Sequence, residues 1–130
     1  DMPPGTGDVA LTIMQNTPLN GMIVVSTPQD MVSMIVKKVI IMIEKMNINL
    51  LGLVENMSYI QCDKCGDKVR IFSKKSPEEH VKYLGAPLLA EMPIDLDMVE
   101  SLEKGQMEYY IKNSEQYNEF IKNFMNRLNK

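Results

Sequence analysis

Gly21-Met22-Ile23-Val24-Val25-Ser26, followed at once by Thr27-Pro28-Gln29-Asp30, is the stretch that decides the fold. The first six residues form a compact apolar run of strand length, rich in β-branched side chains. The next four open a helix: Thr27 suits the N-cap, Pro28 suits N1, and Asp30 places a negative charge in the first turn. That helix is expected to reach about Met46, with apolar residues on more than one face, as for a helix packed under a sheet and against a neighbour. Ile48 to Val54 (INLLGLV) is a second apolar strand, nearly continuous as in a strand buried on both faces. Pro87 to Met92 is a third. Strands alternating with helices predict βαβ units and a mostly parallel sheet, an α/β fold.

Working outward, Gly7 to Asn16 reads as a short helix with Asp8 near its start. Ser76-Pro77-Glu78-Glu79 begins another, which ends at Leu84-Gly85 with the glycine suited to a C′ position. Asp97 to Lys104 and Ser114 to Leu128 read as further helices, while Gly105 to Asn113 carries no clear pattern. Glu55 to about Arg70 reads as a polar loop holding both cysteines. Doubly wound sheets usually hold about five or six strands. Three readable strands therefore predict that residues 1–130 are part of one domain, with helices on both faces of its sheet.

Apolar residues make up 45% of the chain and charged residues 24%, a globular mix that excludes a disordered tail, a collagen-like fibre and a disulfide-stapled miniprotein. Seventeen acids against fourteen bases leave a net charge of −3, so no basic field marks nucleic acid as a partner. The start, DMPPGTGD, lacks the basic and apolar regions of a secretory signal. Met31 to Met46 is interrupted by Lys37, Lys38 and Glu44 and falls short of the ~18 apolar residues of a spanning helix, so no membrane partner is expected. Two cysteines cannot build a disulfide framework, which favours a cytoplasmic location.

Two motifs carry chemistry. In Asp1-Met2-Pro3-Pro4-Gly5-Thr6-Gly7-Asp8, an acid precedes a glycine turn and a helix start. A carboxylate there can hold a metal-bound water, and glycine amides can face anionic oxygen; a Pro/Gly loop that simply caps a helix has the same composition. In Cys62-Asp63-Lys64-Cys65-Gly66, the CxxC spacing lets two sulfurs share one metal, and Gly66 relieves the turn. A thioredoxin-like pair would start a helix, which the polar flank GDKVR does not suggest. A zinc ribbon needs a second pair, and the chain has none. Two thiolates are half of a four-sulfur set, and a twofold dimer would supply the other half. An inert surface pair is the bland alternative.

Other residues read as structural. His80, the one histidine, is expected on the surface of its helix, and no Ser/His/Asp or Cys/His constellation is available for covalent hydrolysis. The twelve methionines suit core filling. Tyr117, Phe120 and Phe124, spaced by three and four, predict one helix face docked on the domain.

The run DMPPGTGD, a strand ending STPQD, GLVENMS, CDKCG with Ile71-Phe72, and Pro93-Ile94-Asp95 after a strand resembles, in this order, the C-terminal half of the Mrp/Nbp-type iron–sulfur carrier ATPases. These are deviant-Walker-A P-loop NTPases, related to the MinD, ParA and nitrogenase iron-protein families. The resemblance is strongest to Phe72 and from Leu84 to Asp95. This chain has Asp63 and Lys64 where the family often carries proline or histidine, and SKKSP at 73–77 where glycines commonly follow.

The resemblance implies that Asp1 ends the Walker-B strand and meets Mg²⁺ through water, and that Gly5 lies in the loop sensing the γ-phosphate. It places Asn56 on the adenine, with Pro93 and Asp95 on the other side of the base. It implies that Cys62 and Cys65 hold a bridging 4Fe–4S cluster at a homodimer interface, through the loop at 56–72, and pass it to apo iron–sulfur proteins. Zinc also takes four thiolates, so a zinc-bridged module without ATPase activity is an alternative, and a MinD/ParA-like positioning ATPase is another. Mg-ATP is the implied nucleotide of the full-length protein. No glycine-rich GKS or GKT loop occurs in these 130 residues, so the chain alone is expected to be inactive as an ATPase.

Overall fold

A computed structural model describes Met2, residues 7–62 and residues 64–128. The elements are α1 (Asp8–Asn16), β1 (Met22–Ser26), α2 (Asp30–Lys45), β2 (Leu50–Gln61), β3 (Lys68–Val69), α3 (Pro77–Leu84), β4 (Leu88–Pro93), α4 (Leu96–Glu103), α5 (Met107–Asn113) and α6 (Glu115–Leu128). β2 is central: β1 and β4 both pair with it in parallel, and β3 pairs antiparallel with its far end. The α/β reading holds, and the three expected strands form the parallel part of the sheet.

Adjacent residues of β2 show why its sequence is apolar without alternation. Leu53 joins a core with Ala10 and Met14 of α1, Val24 of β1, Val36, Ile40 and Ile43 of α2, and Leu84 of α3. Val54 faces the opposite way, into a second cluster with Leu89 and Ala90, against which Phe120, Phe124 and Leu128 of α6 pack. Successive side chains of a strand point to opposite faces, so both faces of this sheet are covered by helices. The aromatic spacing in α6 thus marks a docking face, as expected. Met14, Met22, Met42 and Met46 fill the first core. Met31 and Met34 are exposed, together with Ile35 and Ile41, so the second apolar face of α2 has no cover among the described residues.

Several local expectations need correction. α2 starts at Asp30 with Gln29 as N-cap, because Thr27 and Pro28 stay in the turn leaving β1. The polar loop expected from Glu55 is strand as far as Gln61, since the polar groups of Glu55 and Ser58 find buried partners instead of water. The patternless block at 105–113 contains α5. α3 matches its sequence signals: Ser76 and Glu79 form a reciprocal capping box, Pro77 occupies the first turn, and Gly85 closes the helix in the left-handed conformation at φ 74°. Among the described residues, no helix is long and apolar enough to cross a membrane.

Candidate functional site

The C-terminal ends of β1 and β4 flank the middle of β2, with Ser26 opposite Glu55 and Glu55 opposite Glu91, and β2 alone runs on to Gln61. In an open α/β sheet this edge is where ligands bind. β2 bends there. Its register with β4 shifts between Glu55 and Tyr59, and Met57 takes the left-handed region at φ 55°, rare for a side chain with a Cβ. The Asn56 Oδ1 accepts the Met57 N–H at 2.9 Å, which steadies the bend and half-exposes Asn56. β2 then rejoins β4, with Tyr59 opposite Pro93 and the Ile94 N–H donating to the Tyr59 carbonyl at 2.7 Å.

Asp95 is the N-cap of α4, its Oδ1 accepting the Met98 N–H at 3.0 Å. Its Oδ2 accepts the hydroxyls of Tyr110 and Tyr117, both at 2.9 Å. Burial works to raise this carboxyl, but these hydrogen bonds and one from the Asp97 backbone outweigh it and hold the group below its ordinary value. The two tyrosines respond in the opposite sense. Burial first, then the Asp95 carboxylate, pushes Tyr110 up to about 12 and Tyr117 higher still.

Beyond Gln61 the chain turns at the cysteines. The Cys62 N–H donates to the Asp67 carbonyl at 2.9 Å, and the Gly66 N–H to the Cys62 carbonyl at 2.8 Å. Gly66 sits at φ 75°, so its lack of a Cβ is used as the motif predicts. Cys65 is exposed, and its thiol donates to Asp67 Oδ2 at 3.3 Å. Cys62 is partly buried. Neither cysteine is in a disulfide. Among the described residues no three His, Cys, Asp or Glu side chains are grouped to hold a metal. The donor set is therefore two soft sulfurs, suited to zinc or iron–sulfur and short of the four either one takes.

The fold brings some expected residues together and leaves others apart. Cys62 and Gly66 form one wall of a cleft of about 490 Å³, and Pro93, Asp95 and Tyr110 form part of the other. Asn56 does not line it. Asp1 and Gly5 lie outside the described residues.

The pattern reading missed a buried polar cluster under this edge. His80, expected at the surface, is 2% exposed, and its Nδ1 lies 2.6 Å from Glu55 Oε1. Ser58, 1% exposed, has its hydroxyl 2.9 Å from Glu55 Oε2 and 2.8 Å from Glu91 Oε1. Arg70 Nη1 donates to Ser58 Oγ at 2.9 Å and to Glu91 Oε1 at 2.8 Å. One signal was available: His80 lies three residues after Pro77 and four before Leu84, on the buried face of α3.

A mostly parallel sheet clad on both faces by helices, with its ligand edge next to a two-thiol turn, defines the class: an α/β protein carrying a pair of soft sulfur donors. Residues 1–129 match the ParA family model, described as NUBPL iron-transfer P-loop NTPase. The chain belongs to this family of iron-transfer P-loop NTPases. It is 57% identical over 117 residues to an iron–sulfur cluster carrier protein of Clostridium perfringens, covering 90% of this chain and 41% of that protein. It is 43% identical over 106 residues to the iron–sulfur cluster transfer protein NUBPL of Mus musculus, covering 82% of this chain and 33% of that one. A solved nucleotide-binding protein of Archaeoglobus fulgidus in complex with ADP superposes with a TM-score of 0.68 at 38% identity, over 84% of this chain and 45% of that one. The chain thus spans less than half the length of these relatives.

Proposed function

We propose that this chain is the cysteine-bearing part of an ATP-dependent carrier that holds a 4Fe–4S cluster as cargo and passes it to apo iron–sulfur proteins. The observation that carries the reading is the Cys62–Cys65 turn, closed by Gly66 at the end of the β2–β3 hairpin, in a chain of the iron-transfer family. Two sulfurs come from one copy, and a second copy brings the other two. Exposed apolar side chains around the turn, Ile60, Val69, Ile71 and Phe72, support a homodimer closing over it, since removing such a patch from water lowers the free energy. A cysteine pair kept as thiolate ligands suits the cytoplasm as the place of work.

The nucleotide side of the proposal rests on Asp1 and Gly5 for Mg²⁺ and the γ-phosphate, and on Asn56, Pro93 and Asp95 for the base. The ADP in the Archaeoglobus relative supports it, as does the position of Asn56 and Pro93 at the ligand edge. Asp95 contributes through placement, because the Met98 amide and two tyrosines already engage its carboxylate. The phosphate cradle needs residues that these 130 do not supply.

The test is anaerobic reconstitution of the chain with iron(II) and sulfide, followed by spectrum and molecular mass. A broad band near ~400 nm on a dimer, absent from Cys62→Ser and Cys65→Ser, is the expected result. Stoichiometric zinc at the same cysteines with no such band replaces the carrier by a zinc-bridged module.

A further inference from the structure

We propose that Arg70 is a positioning residue for the cysteine pair, clamping the base of the hairpin to the parallel sheet so that Cys62 and Cys65 present their sulfurs in one direction. This rests on reading the two cysteines as ligands of the cargo. The ladder of the hairpin itself is short. β3 is two residues long, both exposed, and its ladder consists of Ile60 opposite Val69 and Gln61 opposite Lys68. A two-stranded ribbon in water is marginal even when longer.

Arg70 follows β3 directly, and one nitrogen of its guanidinium reaches two strands. It donates to Ser58 on β2 and to Glu91 on β4. The side chains of Arg70 and Glu91 are 26% and 17% exposed, so their ion pair is screened less than a surface pair. Lys68 adds a second strap, with its ammonium 4.0 Å from Glu91 Oε2 and 4.2 Å from the centre of the Tyr59 ring. The footing is firm, because Ser58 is also within hydrogen-bonding distance of Glu55, which His80 holds from α3.

The consequence is for the ligands. Two sulfurs from each of two copies must converge on one cargo, and a site loosened by about 1 Å is a poor one. Ligand orientation set by such supporting contacts is worth roughly 10–100-fold in metal affinity. Without the clamp the turn keeps both cysteines but is free to swing relative to the sheet.

The experiment compares the wild-type chain with Arg70→Gln and Arg70→Lys. Two readouts are used: hydrogen exchange at the Cys62 and Gly66 amides, and the rate at which a chelator removes the reconstituted iron–sulfur band. Arg70→Gln is expected to speed exchange at both amides by about tenfold while Leu53 and Val54 in mid-strand stay unchanged. It should also shorten the life of the band by about tenfold, and Arg70→Lys should restore most of both. Unchanged exchange at the hairpin overturns the clamp. So does a uniform rise that includes Leu53, which would mean general destabilisation. Faster exchange with an unaltered band lifetime overturns the positioning role. If no band forms in the wild type, the cargo reading itself has failed and the positioning role falls with it, a result distinct from a wild-type band that Arg70→Gln leaves unaltered.

Discussion

The imidazole Nδ1 of His80 lies 2.6 Å from Glu55 Oε1, joining α3 to the central strand at a point where both side chains are 3% exposed or less. The contact explains how β2 continues through a glutamate in the middle of the sheet. Water does not reach the carboxylate, so it is held by His80 on one oxygen and lies within reach of Ser58 on the other. His80→Leu removes one of these partners and leaves an acceptor buried without one. We expect a loss of about 2–3 kcal/mol in urea unfolding. Glu55→Leu combined with His80→Leu should cost less than the sum of the two single changes. Strict additivity would show that the pair is not coupled.

Asp95 and its two tyrosines make stability depend on pH at both ends of the scale. Tyr110 holds its proton up to about 12 in the folded chain, against 10 when free, because of burial first and the Asp95 carboxylate next. A raised value means that the contribution is complete below about pH 10 and is lost as pH climbs through the folded value. Asp95 is lowered from 3.8, so its contribution is complete above that pH and is lost as pH falls through the lower folded value. Thermal melts should thus be flat near neutrality and fall in both acid and alkali. Tyr117→Phe keeps the ring but drops the hydroxyl, and should cost about 1.5 kcal/mol at neutral pH. Tyr110→Phe with Tyr117→Phe should flatten the alkaline fall between about pH 10 and 12. An alkaline fall as steep in the double variant as in the wild type would put its source elsewhere.

What could be read in the sequence divides along a physical line. β1, the apolar half of β2, α3 and the docking face of α6 follow from local patterns: β-branched runs, a capping box, aromatic spacing. The second half of β2 does not, because Glu55 and Ser58 are polar and become strand only through partners 25 and 33 positions away, on α3 and β4. The cysteine turn was legible, since CxxCG is local. Its support was not, since Arg70, Ser58 and Glu91 meet only once β2 and β4 have paired. α5 escaped notice because it is only seven residues long, none of them fully buried, so its pattern spans less than two turns.

The second core depends on α6 as a lid over β4. Phe120 and Phe124 stack with ring centres 6.0 Å apart and pack against Val54, Leu89 and Ala90. From the last turn, Arg127 Nη1 donates to the carbonyls of Leu88 and Leu89, both at 3.0 Å. Phe124 is only half-buried, so Phe124→Ala should cost about 2 kcal/mol, less than a full core truncation. Arg127→Ala should cost about 1 kcal/mol. Both changes should speed hydrogen exchange in α6 and β4 before α2. Equal acceleration in α2 would show that the two cores do not loosen separately.

Gly52 and Gly66 both adopt positive φ, yet substitution should affect them very differently. At Gly52 φ is 151°, and a Cβ would meet the Pro87 carbonyl oxygen and Leu89 Cγ, both at 2.6 Å. That same oxygen accepts the Leu53 N–H at 2.7 Å, so it cannot retreat without breaking the join between β2 and the entry to β4. Gly52→Ala is an overpacking change in the centre of the sheet and should cost about 3 kcal/mol. At Gly66 φ is 75°, and a Cβ would have nothing within 4 Å, so Gly66→Ala should cost only the backbone strain, about 1 kcal/mol. Urea midpoints of the two variants decide the matter. If Gly66→Ala proves the more damaging, the close approach of β2 to residues 87–89 is not what fixes the glycine at 52.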